Sequence, residues 1–245
     1  MPVDKTAKKV IQLAKELSQN VSEIDFSEAA PWVYNPLEYA WQAHKQYLSR
    51  YARSSCRVLM LGMNPGPWGM AQCGVPFGEI EAVKSYLGIE ASVSKPDPEH
   101  PKRPIEGLDC SRSEVSGRRL WGLMQEKYPD PDRFFDEHFV ANYCPLVFME
   151  ESARNLTPDK LPASVRQPLE EKCDEHLGKL IQALQPEYLV GVGAFAESCG
   201  KRVLDQVGLE DIQVGRILHP SPASPAANKD WSGTAGKQMR EMGLW

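Results

Sequence analysis

Three short segments carry polar side chains beside prolines: Met63-Asn64-Pro65, Asn142-Tyr143-Cys144-Pro145 and His219-Pro220-Ser221-Pro222. They contain no pair of carboxylates for acid–base work. Asp109 and Glu114 fall in or near a long loop, and nothing in the sequence pairs them. Asn64 cannot serve as an ordinary general base, because an amide does not titrate near neutrality. It can orient a water by hydrogen bonding. Such a group suits a reaction in which bond breaking runs ahead of attack, so that the water needs placement more than activation. A histidine such as His219 then stabilises charge on the departing group. Cleavage of a nucleobase from its sugar fits this pattern: the sugar becomes oxocarbenium-like while the base leaves as an anion.

Each residue also has a structural reading. Asn64 could cap a helix or satisfy a turn. His219 could be a hydrogen-bonded structural histidine, Asn142 a loop tie, and Phe77 in CGVPFGE a core aromatic. The functional reading rests on their convergence at one sheet edge.

That edge is predicted by four apolar runs, at residues 57–62, 138–144, 187–193 and 214–220. Helix-like stretches at 79–87, 116–128 and 165–184 separate them, the last preceded by Thr157-Pro158 as a helix start. Alternation of strands and helices predicts a parallel sheet covered on both faces. In such sheets ligands gather at the carboxyl ends of the strands, which is where the three polar segments fall. The glycine-rich GVGAFAES at 191–198 lacks the third glycine of a dinucleotide loop and reads better as helix–strand packing. The proline-rich, charged stretch 94–112 reads as a long surface loop.

The 245 residues, 42% of them hydrophobic, can bury one substantial core. A single domain over 1–245 is expected, with an N-terminal helix over about 4–18 packed on it through Val10, Leu13, Ala14 and Leu17 and capped by Asp4. The net charge of −5 argues against an unselective polycation, although a local basic face would suffice for nucleic acid. No apolar stretch approaches the length of a membrane span, and the charged N-terminus has no hydrophobic signal core, so an intracellular protein is expected. The six cysteines show no CxxC spacing and do not cluster with the five histidines, which argues against a metal site and for reduced thiols.

The segments GMNPGPWGMAQCGVPFGE (62–79) and HPSPASPAANKDW (219–231) resemble the two signature segments of the single-strand-selective monofunctional uracil-DNA glycosylases, within the wider uracil-DNA glycosylase superfamily. The resemblance continues, in the family's order, through YNPLEYAW (34–41), RSEVSGRRLWG (112–122), NYCPL (142–146), RNLTP (154–158) and LVGVGAFAE (189–197). It implies a three-layer α/β/α fold around a parallel four-stranded sheet. It also implies removal of uracil, 5-hydroxymethyluracil and related oxidised pyrimidines from single- and double-stranded DNA, by a monomer with no cofactor or metal. By the same resemblance Asn64 positions water, His219 faces the uracil O2 together with the Met63 N–H, Asn142 reads O4 and N3, and Phe77 stacks on the extruded base. Other superfamily members carry a tyrosine near Gly66 that excludes a 5-methyl group. A glycine there implies room at the pyrimidine C5, with thymine rejected through displacement of ordered water.

The segment Ser221, Pro222, Ala223, Ser224, Pro225, Ala226, Ala227, Asn228, Lys229 corresponds to the wedge that enters the duplex. Ala223 stands where a wedge arginine is common, and Ala226 replaces a longer polar residue, so this chain departs from the pattern at its plug. Lys229, Arg118 and Arg119 are candidate phosphate contacts or solvated surface charge. Two alternatives remain from sequence: a relative with shifted specificity for hypoxanthine or xanthine, and a non-catalytic reader of damaged DNA, against which the retention of Asn64 and His219 argues. A phosphate-binding loop has no GxxxxGK[ST] segment to support it.

Overall fold

The computed structural model describes residues 4–245, so the first three residues of the expected 1–245 domain lie outside the described residues. In chain order the elements are α1 (Lys5–Ser22), β1 (Trp32–Tyr34), α2 (Pro36–Tyr39), α3 (Trp41–Tyr51), β2 (Val58–Gly62), α4 (Met70–Cys73), α5 (Val115–Lys127), α6 (Pro131–Phe135) and β3 (His138–Asn142). Then follow β4 (Val147–Met149), β5 (Asn155–Leu156), α7 (Ala163–Leu184), β6 (Tyr188–Val192), α8 (Ala194–Val207), β7 (Gln213–Ile217) and α9 (Pro225–Glu241).

Helix α1 starts as its sequence dictates. The Asp4 carboxylate accepts from the Thr6 N–H at 2.6 Å, and Val10, Leu13, Ala14 and Leu17 are buried, largely against α7. It continues past residue 18 to Ser22 because Val21 extends the same buried face. The four expected strands form one parallel sheet in the order β3-β2-β6-β7, the expected α/β architecture with helices packed on the sheet. Strand β2 lies inside it, with Val58, Leu59, Met60 and Leu61 fully buried. Burial of each such side chain contributes about 1.5–3 kcal/mol, which makes β2 a rigid base for the segment that leaves its end.

Four features depart from the sequence reading. The chain from Thr157-Pro158 makes only a short 3₁₀ turn, and α7 begins at Ala163 after Pro162. Residues 79–87 bury Ile80, Val83 and Leu87 as expected, but their helical turn is a wide one: the Leu87 N–H reaches back five residues to the Ala82 carbonyl. The stretch 94–112 is no free surface loop. Its His100, Ile105 and Cys110 are buried, the Ser94 N–H donates to the Tyr39 carbonyl, and the Glu106 N–H donates to the Gln72 side chain. Finally, β1, β4 and β5 form a second, antiparallel sheet in the order β1-β4-β5. Strands of two or three residues leave too short a pattern to be read from sequence.

Among the described residues no helix is long and apolar enough to cross a membrane. All six cysteines are buried and unpaired.

Candidate active site

The sheet order places a topological switch between β2 and β6, since the chain leaves β2 for β3 on one side and returns to β6 on the other. A cavity of about 310 Å³ opens at the carboxyl ends of these strands. It is lined by Met63, Asn64 and Gly66 after β2, Asn142 at the end of β3, His219 after β7, and Phe77. The residues singled out at three strand ends therefore meet in one cleft. Its walls include no lysine, arginine or cysteine.

Asn64 does not cap a helix: the cap position of α4 is Gly69, and no side chain bonds there. Its Nδ2 donates to the Leu146 carbonyl at 3.2 Å. A carbonyl can only accept, so this bond orients the amide and leaves Oδ1 as the free acceptor. Leu146 lies just before β4, so the small second sheet carries the group that orients Asn64.

His219 is partly exposed and leaves β7 after Leu218. Its Nδ1 accepts the Ser221 N–H at 3.1 Å. Because a backbone N–H can only donate, Nδ1 holds a lone pair and the ring proton sits on Nε2. Burial pushes the His219 pKa below its ordinary value, so the ring is a neutral Nε2–H donor at neutral pH. Gly193, at φ +95°, lets the histidine lie across the end of β6: a Cβ there would stand 3.1 Å from that of His219.

Asn142 and Phe77 share a wall. The Asn142 Nδ2 approaches the Met70 sulfur at 3.2 Å, a weak acceptor. The firmer restraint on the amide is steric. A Cβ at Gly62 would overlap Asn142 Oδ1 and stand 2.5 Å from the Phe77 ring, so only glycine at the end of β2 lets both side chains close over it. Phe77 has φ +52°, a left-handed conformation that costs a non-glycine residue about 1–3 kcal/mol. Its ring centroid lies 6.3 Å from that of His219. Phe77 is part-buried, packing against the core and lining the cleft as well.

The space that a side chain at residue 66 would enter is occupied by Glu114. A Cβ on Gly66 would stand 2.5 Å from Glu114 Oε2, and one on Gly69 would stand 3.0 Å from Glu114 Cγ. Glu114 precedes α5 and lines the cleft. Burial raises its pKa, against the opposing pull of the Ser116 and Trp68 backbone N–H groups. Nothing in the sequence signals this, because Glu114 lies 48 residues beyond Gly66 and beside a proline-rich stretch. Ser116, Asn155 and Thr157 are further lining residues that spacing did not single out.

Comparison with known proteins places this arrangement in a family. The family model for the uracil DNA glycosylase superfamily matches residues 49–241. The chain is 46% identical over 234 residues to the single-strand selective monofunctional uracil DNA glycosylase of Bos taurus, covering 96% of this chain and 86% of that protein. The corresponding Rattus norvegicus protein is 48% identical over 229 residues, 93% of this chain and 82% of its own. The chain belongs to the single-strand-selective monofunctional uracil-DNA glycosylase family. The solved structure of wild-type SMUG2 from Pedobacter heparinus has the same fold, with a TM-score of 0.67 at 15% identity over 97% of both chains.

In this member of the uracil-DNA glycosylase superfamily, the segment after His219 is a braced hook. Ser221 Oγ accepts the Ala223 N–H at 3.1 Å, and Ser224 caps α9 ahead of Pro225. Asn228 Nδ2 donates to the Pro222 carbonyl at 2.8 Å. Asp230 breaks the helix with non-helical φ and ψ, so the first turn of α9 stands apart with the hook. Pro222, Ala223, Pro225, Ala226, Asn228 and Lys229 are exposed, but Ala227 is buried. Ala227 therefore belongs to the core and not to a DNA-entering surface. Arg119 is likewise committed: its guanidinium donates to the Pro220 carbonyl and to Asn228 Oδ1, each at 2.9 Å, and so it braces the hook.

Proposed function

We propose that the protein hydrolyses the N-glycosidic bond of uracil and 5-hydroxymethyluracil in single- and double-stranded DNA, leaving an abasic site and an intact strand. The observation that carries this reading is the meeting, in one cleft, of an amide with a free acceptor oxygen and a neutral histidine with a free Nε2–H. The base leaves the stack at a cost of a few kcal/mol, about 1–3 kcal/mol of which stacking on Phe77 returns. Asn142 offers both a donor and an acceptor, matching O4 and N3–H, while cytosine reverses that edge. The C1′–N1 bond then stretches, and the negative charge that collects at O2 is met by His219 Nε2–H and the Met63 N–H. Asn64 Oδ1 accepts from a water placed toward C1′. Its oxygen bonds to C1′, its released proton passes to solvent, and the uracil anion is protonated after it leaves. With no lysine in the cleft, no amine is placed to form an imine with the sugar.

The DNA strand has a basic path beside this cleft. Trp68 lies under two guanidinium groups, Arg103 at 5.0 Å and Arg112 at 4.3 Å from the ring centroid, and neither arginine makes an ion pair among the described residues. The anchored stretch 94–112 presents both. Two positive groups gathered on one indole beside the cleft suit a phosphodiester. Arg103→Ala combined with Arg112→Ala should weaken binding to a single strand and flatten the salt slope by about 1.4, the value for two lost phosphate contacts. An unchanged slope would remove them from the path.

The deciding assay uses oligonucleotides carrying uracil, 5-hydroxymethyluracil, hypoxanthine, xanthine or thymine. Excision of the first two, with strand breaks appearing only after hot alkali, is the expected result. Preferential removal of hypoxanthine or xanthine would mark shifted specificity. Binding without base release would mark a reader of damaged DNA. Borohydride trapping of enzyme on DNA would contradict hydrolysis by placed water.

A further inference from the structure

Gln72, in α4, is fully buried, yet the proposed chemistry gives it no part. Its side chain meets the backbone of two segments far apart in the chain. Nε2 donates to the Pro67 carbonyl at 3.2 Å and to the Pro104 carbonyl at 3.0 Å. Oε1 accepts the Glu106 N–H at 2.8 Å. Carbonyls only accept and a backbone N–H only donates, so the amide has one orientation and both its N–H bonds are used. Pro67 precedes Trp68, and Pro104 follows Arg103. The amide therefore stands where the chain brings the Arg103 guanidinium over the Trp68 ring, 5.0 Å from its centroid. We infer that Gln72 is a positioning residue that ties the DNA-strand path at Arg103 to the turn carrying Asn64. The inference rests on the reading that Arg103 contacts a phosphodiester.

Both ends of this tie are stiff. On the catalytic side, only Pro65 and Gly66 separate Asn64 from Pro67, and the two proline rings fix their own φ. The Gly66 carbonyl accepts from the Gly69 and Ala71 N–H groups, each at 3.3 Å. A shift of the Pro67 carbonyl is therefore passed on to Asn64 and not absorbed between them. On the strand side, the buried Tyr34 donates its O–H to the Arg103 carbonyl at 3.0 Å and accepts the His100 N–H at 2.6 Å. Two consecutive carbonyls, those of Arg103 and Pro104, are thus held by buried side chains. Helix α4 carries a further link to the site, since the Met70 sulfur lies 3.2 Å from Asn142 Nδ2. The three bonds also explain the residue type. Methionine of the same length would leave two acceptors and one donor buried without partners, and an ionised glutamate would turn negative charge toward two carbonyls.

The test compares the unaltered protein with Gln72→Met, Arg103→Ala and the double variant. Two quantities are read: the salt dependence of binding to a uracil-free single strand, and the single-turnover rate on a saturating uracil-containing strand. Arg103→Ala should flatten the salt slope by about 0.7, the value for one lost phosphate contact. Gln72→Met should flatten it by the same amount, and the double variant no further, because both remove one contact. Gln72→Met should also lower the saturating rate about tenfold or more, through displacement of Asn64. A folded Gln72→Met that keeps either the slope or the rate, or a double variant whose losses add, overturns the inference while the strand path stands. An unchanged slope in Arg103→Ala overturns the path itself, and the inference falls with it. Should Gln72→Met not fold, as a thermal melt would reveal, Gln72→Glu takes its place. Buried, that carboxyl is held protonated and keeps one donor, so the rate should fall about threefold or more from pH 6.5 to 8 as the donor is lost. A level profile in a folded Gln72→Glu overturns the inference.

Discussion

Replacing His219 with alanine lowers the single-turnover rate of uracil removal about 10²–10³-fold, the loss typical of removing one preorganised donor to a developing anion. Substrate binding changes little, because the Nε2–H contact strengthens only as charge moves onto the base. The state of the ring makes the expectation sharper. Ser221 N–H occupies the Nδ1 lone pair at 3.1 Å, and burial holds the pKa below its ordinary value. The working form is therefore the neutral imidazole. The rate should stay level from pH 8 down past about 6.5, the ordinary histidine value, and fall only in more acidic solution, where protonation of Nδ1 breaks the Ser221 contact. An enzyme that relied on the imidazolium would behave in the opposite sense, losing rate as pH rises through that region. A pH–rate profile for the intact protein beside His219→Ala separates the two, since the alanine variant should lose the acid limb.

Gly62→Ala should reduce kcat/KM for uracil about a hundredfold or more while the protein stays folded, because misplacement by about 1 Å of groups remote from the bond being broken can cost that much. The new Cβ meets Asn142 Oδ1 and stands 2.5 Å from the Phe77 ring. Neither group can yield freely. Asn142 is the last residue of β3 and pairs in register with Gly62 itself, and Phe77 is held at φ +52°. Both the edge that reads the base and the ring that stacks on it are therefore displaced by one methyl group. Circular dichroism and a thermal melt, run beside the kinetics, distinguish this from unfolding. Activity within a fewfold of the unaltered protein would mean that the two side chains are not fixed by Gly62.

The distance between sequence and structure differs from residue to residue. Asn64, Asn142 and His219 were legible because each follows an apolar run long enough to be recognised as a buried strand, and a parallel sheet delivers all such ends to one edge. Helix α1 was legible because its periodic apolar face and Asp4 cap are local signals. The second sheet was not, since two- and three-residue strands carry no usable period. Ala227 was assigned to the wedge with its neighbours, yet helical geometry turns it inward beside exposed Ala226 and Asn228. Arg119 looked like a free cation until the fold brought Pro220 and Asn228 to it across about a hundred residues of chain.

By itself, then, the sequence determined the parallel sheet, the strand-end residues and, through ordered resemblance along most of the chain, the family. These depend on local periodicity and on motifs whose members are close in the chain. The tertiary structure alone decided the tautomer of His219, the orientation of Asn64 by Leu146, the need for glycine at 62, and the entry of Glu114 over Gly66. The first is set by a local turn whose backbone shape the sequence does not spell out, and the other three are contacts between segments that meet only when the chain folds. A hydrogen bond fixes which atom carries a proton, and a missing Cβ fixes which side chain can enter, only at the distances that folding creates.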